Sequence, residues 1–351
     1  MKKYDNLRLL GGKVSFLIDR RALAIFLLLT AAAAGVFVIS TGTGDMKISP
    51  LKVVQVFFGG GSDMERLIIQ SFRLPRIIIA LLVGISLAVA GGILQGMIRN
   101  PLASPDIIGI TGGASVAVVG FLAFFSDENN ALTVSINWMP LAAFGGAAIV
   151  AFLVYFLAYK NGVSPIRLVL IGIGIASLMK ALTTLMMVFG PIYQASQANI
   201  WITGTVYGSN WGNVAILVPW TLILLILAFV LARNVNVQEL GDDVATGVGS
   251  TVQKHRFLLL MVSTGLIGGA VAFAGGIGFV GLMAPHMARR LVGSAFGALL
   301  PASALIGGIL VMAADLIGRT LFSPLEIPAG VFTASIGAPY FIYLLFKTRN
   351  S

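Results

Sequence analysis

The residues that could perform chemistry in this chain are few and scattered. It has two histidines and no cysteine, which excludes disulfides, thiolate metal sites and thiol nucleophiles. His255 and His286 lie far apart, and acids are sparse in the apolar stretches, so we expect no resident metal. We find no GxxxxGK[ST] phosphate loop and no nucleophile–base arrangement. The sequence therefore predicts a protein that is not an enzyme and has no cofactor of its own.

Three isolated polar side chains interrupt the apolar stretches. Lys180 either lines a polar pathway or extends toward the outer membrane surface, because a charge inside a membrane is costly. Gln95 either lines the same pathway or forms an interhelical hydrogen bond. Asp106 follows Pro105, and we expect it to cap a helix.

Composition identifies the environment that must position these residues. Hydrophobic residues make up 58% of the chain and charged residues only 10%, against about 25% charged in soluble domains. Many stretches approach the length needed to cross a bilayer, which indicates a polytopic membrane protein. The net charge of +10 would suggest nucleic acid in a soluble protein. Here the cations cluster in loops, so they indicate orientation and we expect no nucleic-acid partner.

We predict an all-α membrane protein: one permease domain, residues 1–351, with about ten transmembrane helices. The expected spans are 22–41, 75–97, 106–125, 139–159, 168–189, 213–233, 257–276, 278–292, 302–318 and 329–346. One long helix over 257–285 is the alternative to the seventh and eighth. The positive-inside bias favours a break at Gly275–Gly278, because the split keeps Arg289 and Arg290 inside. Both termini and the loop 234–256 are then cytoplasmic.

Two segments of the chain are similar to each other. LVGISLAVAGGI (82–93) and LIGGAVAFAGGI (266–277) match at seven of twelve positions. Small apolar residues also match by chance in membrane helices. In the predicted topology, however, the two copies run in opposite directions, as in the inverted repeats of transporters. The pattern thus indicates a duplicated half, and transport rather than intramembrane catalysis.

Three long blocks resemble a known family. They are RLPRIIIALLVGISLAVAGGILQGMIRNPLASPDIIGITGGAS (73–115), GFVGLMAPHMAR (278–289) and ADLIGRTLFSPLEIPAGVFTASIGAPYFIYLL (314–345). They resemble signatures of FecCD-type permeases of the iron-siderophore and cobalamin importers of the ABC class. The resemblance covers roughly residues 50–346. It implies a ten-span subunit that dimerises, sits on two cytoplasmic ATPase subunits and receives substrate from an extracytoplasmic binding protein.

The resemblance also implies roles for two groups of residues. The stretch 237–249, VQELGDDVATGVG, looks like the family's ATPase-coupling element, and we assign the role to Leu240, Gly241, Asp242, Asp243, Val244, Ala245 and Gly249. If the stretch is helical, its four-residue spacing of small residues predicts one face that closely approaches the partner, and the two acids favour the helix N-terminus. An ordinary solvated loop is the alternative. Arg73, Arg76 and Arg319 are expected outside. There they either bind acidic residues of the binding protein or extend to lipid headgroups, and Asp315 could hold Arg319 in place.

Together these features predict the permease subunit of a bacterial ABC importer for an iron(III)-siderophore chelate, located in the cytoplasmic membrane. ATP-Mg would bind the partner ATPase subunits, and a second permease chain, identical or not, would complete the pathway. Cobalamin or haem is the alternative cargo. An ion-driven secondary transporter would need carboxylates within the spans, and only Asp106 and Asp315 come near. An intramembrane enzyme lacks convergent catalytic groups.

Overall fold

The computed structural model describes residues 4–9, 14–44, 46–127, 131–160, 162–190 and 192–349. In these residues a short antiparallel hairpin, β1 (Tyr4–Leu9) and β2 (Val14–Asp19), precedes a bundle of α-helices. The helices are α1 Arg20–Gly42, α2 Pro50–Phe57, α3 Asp63–Leu67, α4 Leu74–Ile98, α5 Ile110–Phe124, α6 Met139–Ala158, α7 Pro165–Phe189, α8 Ile192–Thr203, α9 Trp211–Glu239, α10 Asp242–Gly247, α11 Val252–Ala274, α12 Val280–Val292, α13 Phe296–Thr320 and α14 Ala329–Arg349. The all-α prediction is confirmed for this bundle.

Short polar signals start several of these helices. Asp19 accepts a hydrogen bond from the backbone of Arg21 and caps α1, and Pro50 occupies the first turn of α2. Ser62 and Glu65 form a reciprocal capping box at α3. From there the chain stays helical through a π-helical segment, Ile68–Arg73, into α4. The second predicted span therefore begins its helix at residue 63 rather than near 75.

Seven helical stretches in the described residues are long and apolar enough to cross a membrane. They are Arg20–Gly42, Asp63–Ile98, Ile136–Ala158, Pro165–Phe189, Trp211–Glu239, Val252–Ala274 and Phe296–Thr320. Helices also lie in the three other predicted segments, as α5, α12 and α14. At about 1.5 Å per residue, the 15 residues of α5 reach only ~22 Å of a hydrocarbon core near 30 Å. Ten spans is thus an approximate description.

α4 forms the centre of the bundle. It packs against α13, α11, α9 and α12, and 83% of its most apolar stretch is buried. Glycines allow the closest of these approaches: a Cβ on Gly84 would overlap the carbonyl oxygen of Gly307 in α13, and one on Gly91 would overlap that of Gly281 in α12. Small residues therefore bring helix backbones into direct contact, as is common in membrane bundles.

The two similar segments lie in α4 and at the end of α11. Each of these two helices packs against a helix from the other half of the chain. α4 packs on α13, whereas α11 packs on α6, where Gly268 faces Phe144 and Ala147. This exchange of partners is expected for two related halves. The copies differ at their shared Ala-Gly-Gly-Ile: α4 continues through it, but α11 ends at Ala274 and α12 begins at Val280. Gly275 and Phe279 have φ values of 65° and 66°, so the backbone breaks where the glycine run suggested.

Candidate coupling, docking and pathway sites

The acidic stretch between α9 and α11 folds as a turn, the short helix α10 and a second turn. Gly241 precedes α10 with φ 110°, and Gly249 follows it with φ 82°. These left-handed values favour glycine, since a Cβ would strain the backbone there. Asp242 and Asp243 occupy the first turn of α10, at the N-terminal position where the helix dipole favours acids.

The exposed face of α10 differs from the predicted one. Ala245 is fully buried against its own chain, and Gly241 and Gly249 bracket the helix rather than lie on it. The expectation that these three form a face open to a partner was therefore wrong. The exposed apolar residues are instead Leu240, Val244 and Val248, with 67%, 49% and 69% of their surface accessible. Val244 lies within α10, and Leu240 and Val248 flank its two ends.

Asp242 connects α10 to two other elements. Its Oδ1 accepts hydrogen bonds from Arg99, which follows α4, at 2.7 Å, and from Arg256 of α11 at 2.9 Å. Arg256 is almost completely buried. No pattern in the sequence indicates this cluster, because nothing in the local spacing links positions 99, 242 and 256.

Two of the three arginines that were expected outside, Arg73 and Arg319, hold the end of α1. Arg73 donates to the carbonyl oxygens of Thr41 at 2.9 Å and Met46 at 2.5 Å, and Arg319 donates to those of Ser40 and Thr43. The last carbonyl groups of a helix lack intrahelical partners, so cations fit there. Both arginines are below one-tenth exposed.

The third arginine, Arg76, lies in an ion-pair network. It contacts Asp315 at 2.8 Å and Glu326 at 2.9 Å, and its guanidinium lies 5.7 Å from the ring centre of Tyr207. Asp315 also lies 3.5 Å from Arg319, the proximity that their four-residue spacing predicted. The structure thus brings the three arginines together around one cavity of about 300 Å³, which Glu326 also lines. They are already engaged within the chain.

The polar residues in the apolar stretches have separate environments. Gln95 is 2% exposed and donates to the carbonyl oxygens of Gly281 and Leu282 in α12, which is the interhelical hydrogen bond among its two expected roles. Lys180 is exposed on α7, in an open groove that Ser177 and Thr184 also line.

Asp106 does not cap α5, contrary to our expectation. The cap residue is Gly109, and Asp106 instead accepts a hydrogen bond from the Thr111 hydroxyl at 3.1 Å. The chain from Arg99 to Gly109 forms turns. The helix therefore begins at Ile110 and not at residue 106, where the apolar residues before Ile110 had predicted its start.

The histidines lie in different surroundings. His255 Nδ1 is 3.3 Å from the Ser250 hydroxyl, and the His286 ring packs edge-on near Tyr340. Within the described ranges, no three His, Asp or Glu side chains are grouped as a metal site would require.

This architecture defines a class: a polytopic helical membrane protein with a short helix, α10, in the loop between two long apolar helices. Residues 28–347 match the model of the FecCD transport family, and the chain belongs to that family. This confirms the resemblance found in the sequence blocks.

Individual relatives agree with the family. The Bacillus subtilis (strain 168) protein named "Probable siderophore transport system permease protein YfhA" is 61% identical over 333 residues, or 95% of this chain and 97% of that protein. The "Iron(3+)-hydroxamate import system permease protein FhuG" of the same organism is 46% identical over 90% of this chain and 94% of its own length. A solved structure described as a metal-chelate type ABC transporter in an inward-facing conformation superimposes with TM-score 0.82 and 30% identity, covering 93% of this chain and 99% of that one.

Proposed function

We propose that this chain is the membrane-spanning permease subunit of a bacterial ABC importer that carries an iron(III)-siderophore chelate across the cytoplasmic membrane. The observation that carries the proposal is the 61% identity to a siderophore permease across 95% of the chain. The relatives described above are named for siderophore and iron(3+)-hydroxamate transport, which does not favour cobalamin or haem as cargo. Both termini would be cytoplasmic.

ATP would be hydrolysed by two partner subunits that bind α10. Supporting this, three apolar side chains are exposed on an otherwise polar loop: Val244 within α10, and Leu240 and Val248 at its two ends. Exposed apolar patches with polar rims commonly mark protein contacts. Movement of the ATPase subunits would displace α10 and switch the side on which the pathway opens.

The pathway would lie between this chain and a second permease chain, along α7. Only 22% of the most apolar stretch of α7 is buried within the chain. Lys180 lies on its exposed surface beside Ser177 and Thr184. A charge at this depth is unfavourable against lipid, so we assign this surface to a partner chain or an aqueous passage.

The substrate-binding protein would dock at the outer face around the cavity of Arg73, Arg76 and Arg319. Charge complementarity at such a contact sets register and association rate.

Because Arg73 and Arg319 also hold α1, reversing their charges would disturb the protein itself. A milder test introduces single cysteines at exposed Met46 and Leu325 into this cysteine-free chain. Bound binding protein should slow their labelling, but not that of Val248→Cys at the opposite end. Equal labelling with and without the binding protein would contradict this docking site.

Uptake of iron-55 by cells tests the proposed function. Cells that lack this chain should lose ATP-dependent uptake of one chelate in a panel of hydroxamate, catecholate and citrate complexes, and the wild-type chain should restore it. Unlabelled cobalamin and haem serve as competitors. Competition by either, or uptake that persists with an ATPase subunit unable to hydrolyse ATP, would refute the assignment.

A further inference from the structure

The two ion pairs of Asp242 differ in environment. The Arg256 side chain is 2% exposed, whereas the side chains of Arg99 and Asp242 are 35% and 40% exposed. Separating Asp242 from Arg256 would leave a buried guanidinium uncompensated, which is strongly unfavourable. Separating Asp242 from Arg99 costs little free energy, because both side chains are partly exposed and water can replace the ion pair. The first contact is therefore fixed and the second can open.

Arg256 belongs to a larger connection at the start of α11. It also donates to the carbonyl oxygen of Val163, in the turn between α6 and α7. Gln253, one turn earlier, accepts from the backbone N–H of Val163 at 2.8 Å. The first turn of α11 thus holds both α10 and the α6–α7 turn.

α11 leads from this connection to the backbone break. Its 23 residues extend about 34 Å at 1.5 Å per residue. At its far end, the Ala274 carbonyl accepts from Thr205, and Gly275 lies against the carbonyl oxygen of Trp201. We expect a displacement of the first turn of α11 to reach this break, because 78% of the most apolar stretch of α11 is buried and a packed helix moves largely as one rigid element.

We propose that Asp242 is a positioning residue that fixes α10 to α11 through Arg256, so that movement of α10 travels along α11 to the break at Gly275. The Arg99–Asp242 pair is the releasable contact that lets α10 move relative to the end of α4. This inference rests on the proposed function, since it assumes that an ATPase moves α10.

The test compares variants in the full complex with its ATPase subunits and binding protein, reconstituted in liposomes. The measured quantity is chelate transported per ATP hydrolysed, using the iron-55 chelate that supports uptake in cells. Asp242→Asn weakens both ion pairs, and Arg99→Gln removes only the exposed one. Glu239→Gln is the matched control: it removes a carboxylate from the same end of the protein, one that pairs with Arg289 at 3.1 Å and not with α10. Asp242→Glu tests rescue by a conserved charge.

We expect Asp242→Asn to lower the transport-to-ATP ratio by about tenfold, within the range of typical allosteric couplings, while the complex still assembles. Arg99→Gln should change the ratio far less, Glu239→Gln not at all, and Asp242→Glu should recover part of it. A normal ratio in Asp242→Asn, or an equal loss in Arg99→Gln, would overturn the inference. A wild-type complex without ATP-driven uptake would instead refute the proposed function.

A second measurement leaves Asp242 intact and so does not depend on how the variant folds. Spin labels are placed at exposed Thr246 in α10 and exposed Lys254 in α11, or at Thr246 and exposed Pro101 after α4. ATP should leave the first distance unchanged and alter the second. A change in the Thr246–Lys254 distance as large as that in the other pair would contradict a fixed α10–α11 contact.

Discussion

Single side chains around the cavity of Arg73, Arg76 and Arg319 satisfy groups that would otherwise be left without partners. Arg73 and Arg319 take the free carbonyls at the end of α1, and Arg76 neutralises the buried Asp315. The resemblance identified these arginines as a group. It could not indicate their internal partners, because those carbonyls lie about thirty residues or more away in sequence and no local pattern encodes them.

The Arg76–Asp315 pair should contribute to stability independently of any docking role. The two side chains are 15% and 4% exposed, so Arg76→Gln should cost roughly 3 kcal/mol by leaving a buried carboxylate short of a partner. Adding Asp315→Asn should recover part of that loss. The free energy of unfolding in mixed detergent measures both. Strictly additive losses would show that the two residues do not act as a pair.

Gly84 provides a second test at this scale. Gly84→Ala places a methyl group against the Gly307 carbonyl, and we expect a loss of about 1–3 kcal/mol from overpacking. Gly145→Ala in α6 is the control, because a Cβ there meets nothing within 4 Å. It should be neutral or slightly stabilising. The midpoint of thermal unfolding distinguishes them, and equal midpoints would contradict the close contact.

At the scale of elements, hydropathy located the apolar helices well, and loop charge with the glycine run located the break after Ala274. The start of α5 and the exposed face of α10 were missed. The spacing of residues cannot say which side of a six-residue helix is buried, because the orientation of the helix depends on contacts with distant residues. In α10 these include Arg99 and Arg256, which both pair with Asp242. Ile107 and Ile108, in the turns before α5, are as apolar as the helix itself.

The orientation of α10 leads to a prediction about this helix. Leu240→Ser with Val244→Ser should change stability by less than about 0.5 kcal/mol, since both side chains are exposed. The pair should nevertheless weaken association with the ATPase subunit. Ala245→Leu should instead destabilise the permease itself, because Ala245 is fully buried. Copurification and thermal unfolding separate these effects, and intact association in the double variant would contradict the contact face.

At the scale of the whole molecule, the helices differ widely in how much of their surface is buried within the chain. The sequence indicated two related halves, and the packing of α4 on α13 and of α11 on α6 follows that relation. α4 and α11 are mostly enclosed, whereas α7 carries a cation on an open surface. Sequence alone left the environment of Lys180 undecided, because exposure depends on how α7 packs against the remaining helices.

A labelling experiment tests whether that surface faces water in the assembled transporter. Lys180→Cys should react with a membrane-impermeant thiol reagent, and bound chelate should slow the reaction. Leu178→Cys is the control, because two residues on a helix separate side chains by about 200° and Leu178 is also exposed within the chain. It should stay unreactive against lipid. Equal rates at both positions would remove Lys180 from the pathway.

The bare-backbone contacts of α4 also restrict how the molecule can move. α4 and α13 touch through Gly84 and Gly307, where neither residue has a side chain. Rotation of one helix about its axis would bring a side chain into this contact, where there is no room for it. The second contact, Gly91 with Gly281, joins α4 to α12 in the same way. We therefore expect α4, α12 and α13 to move together as one rigid unit, and any rocking in a transport cycle to involve the helices around them.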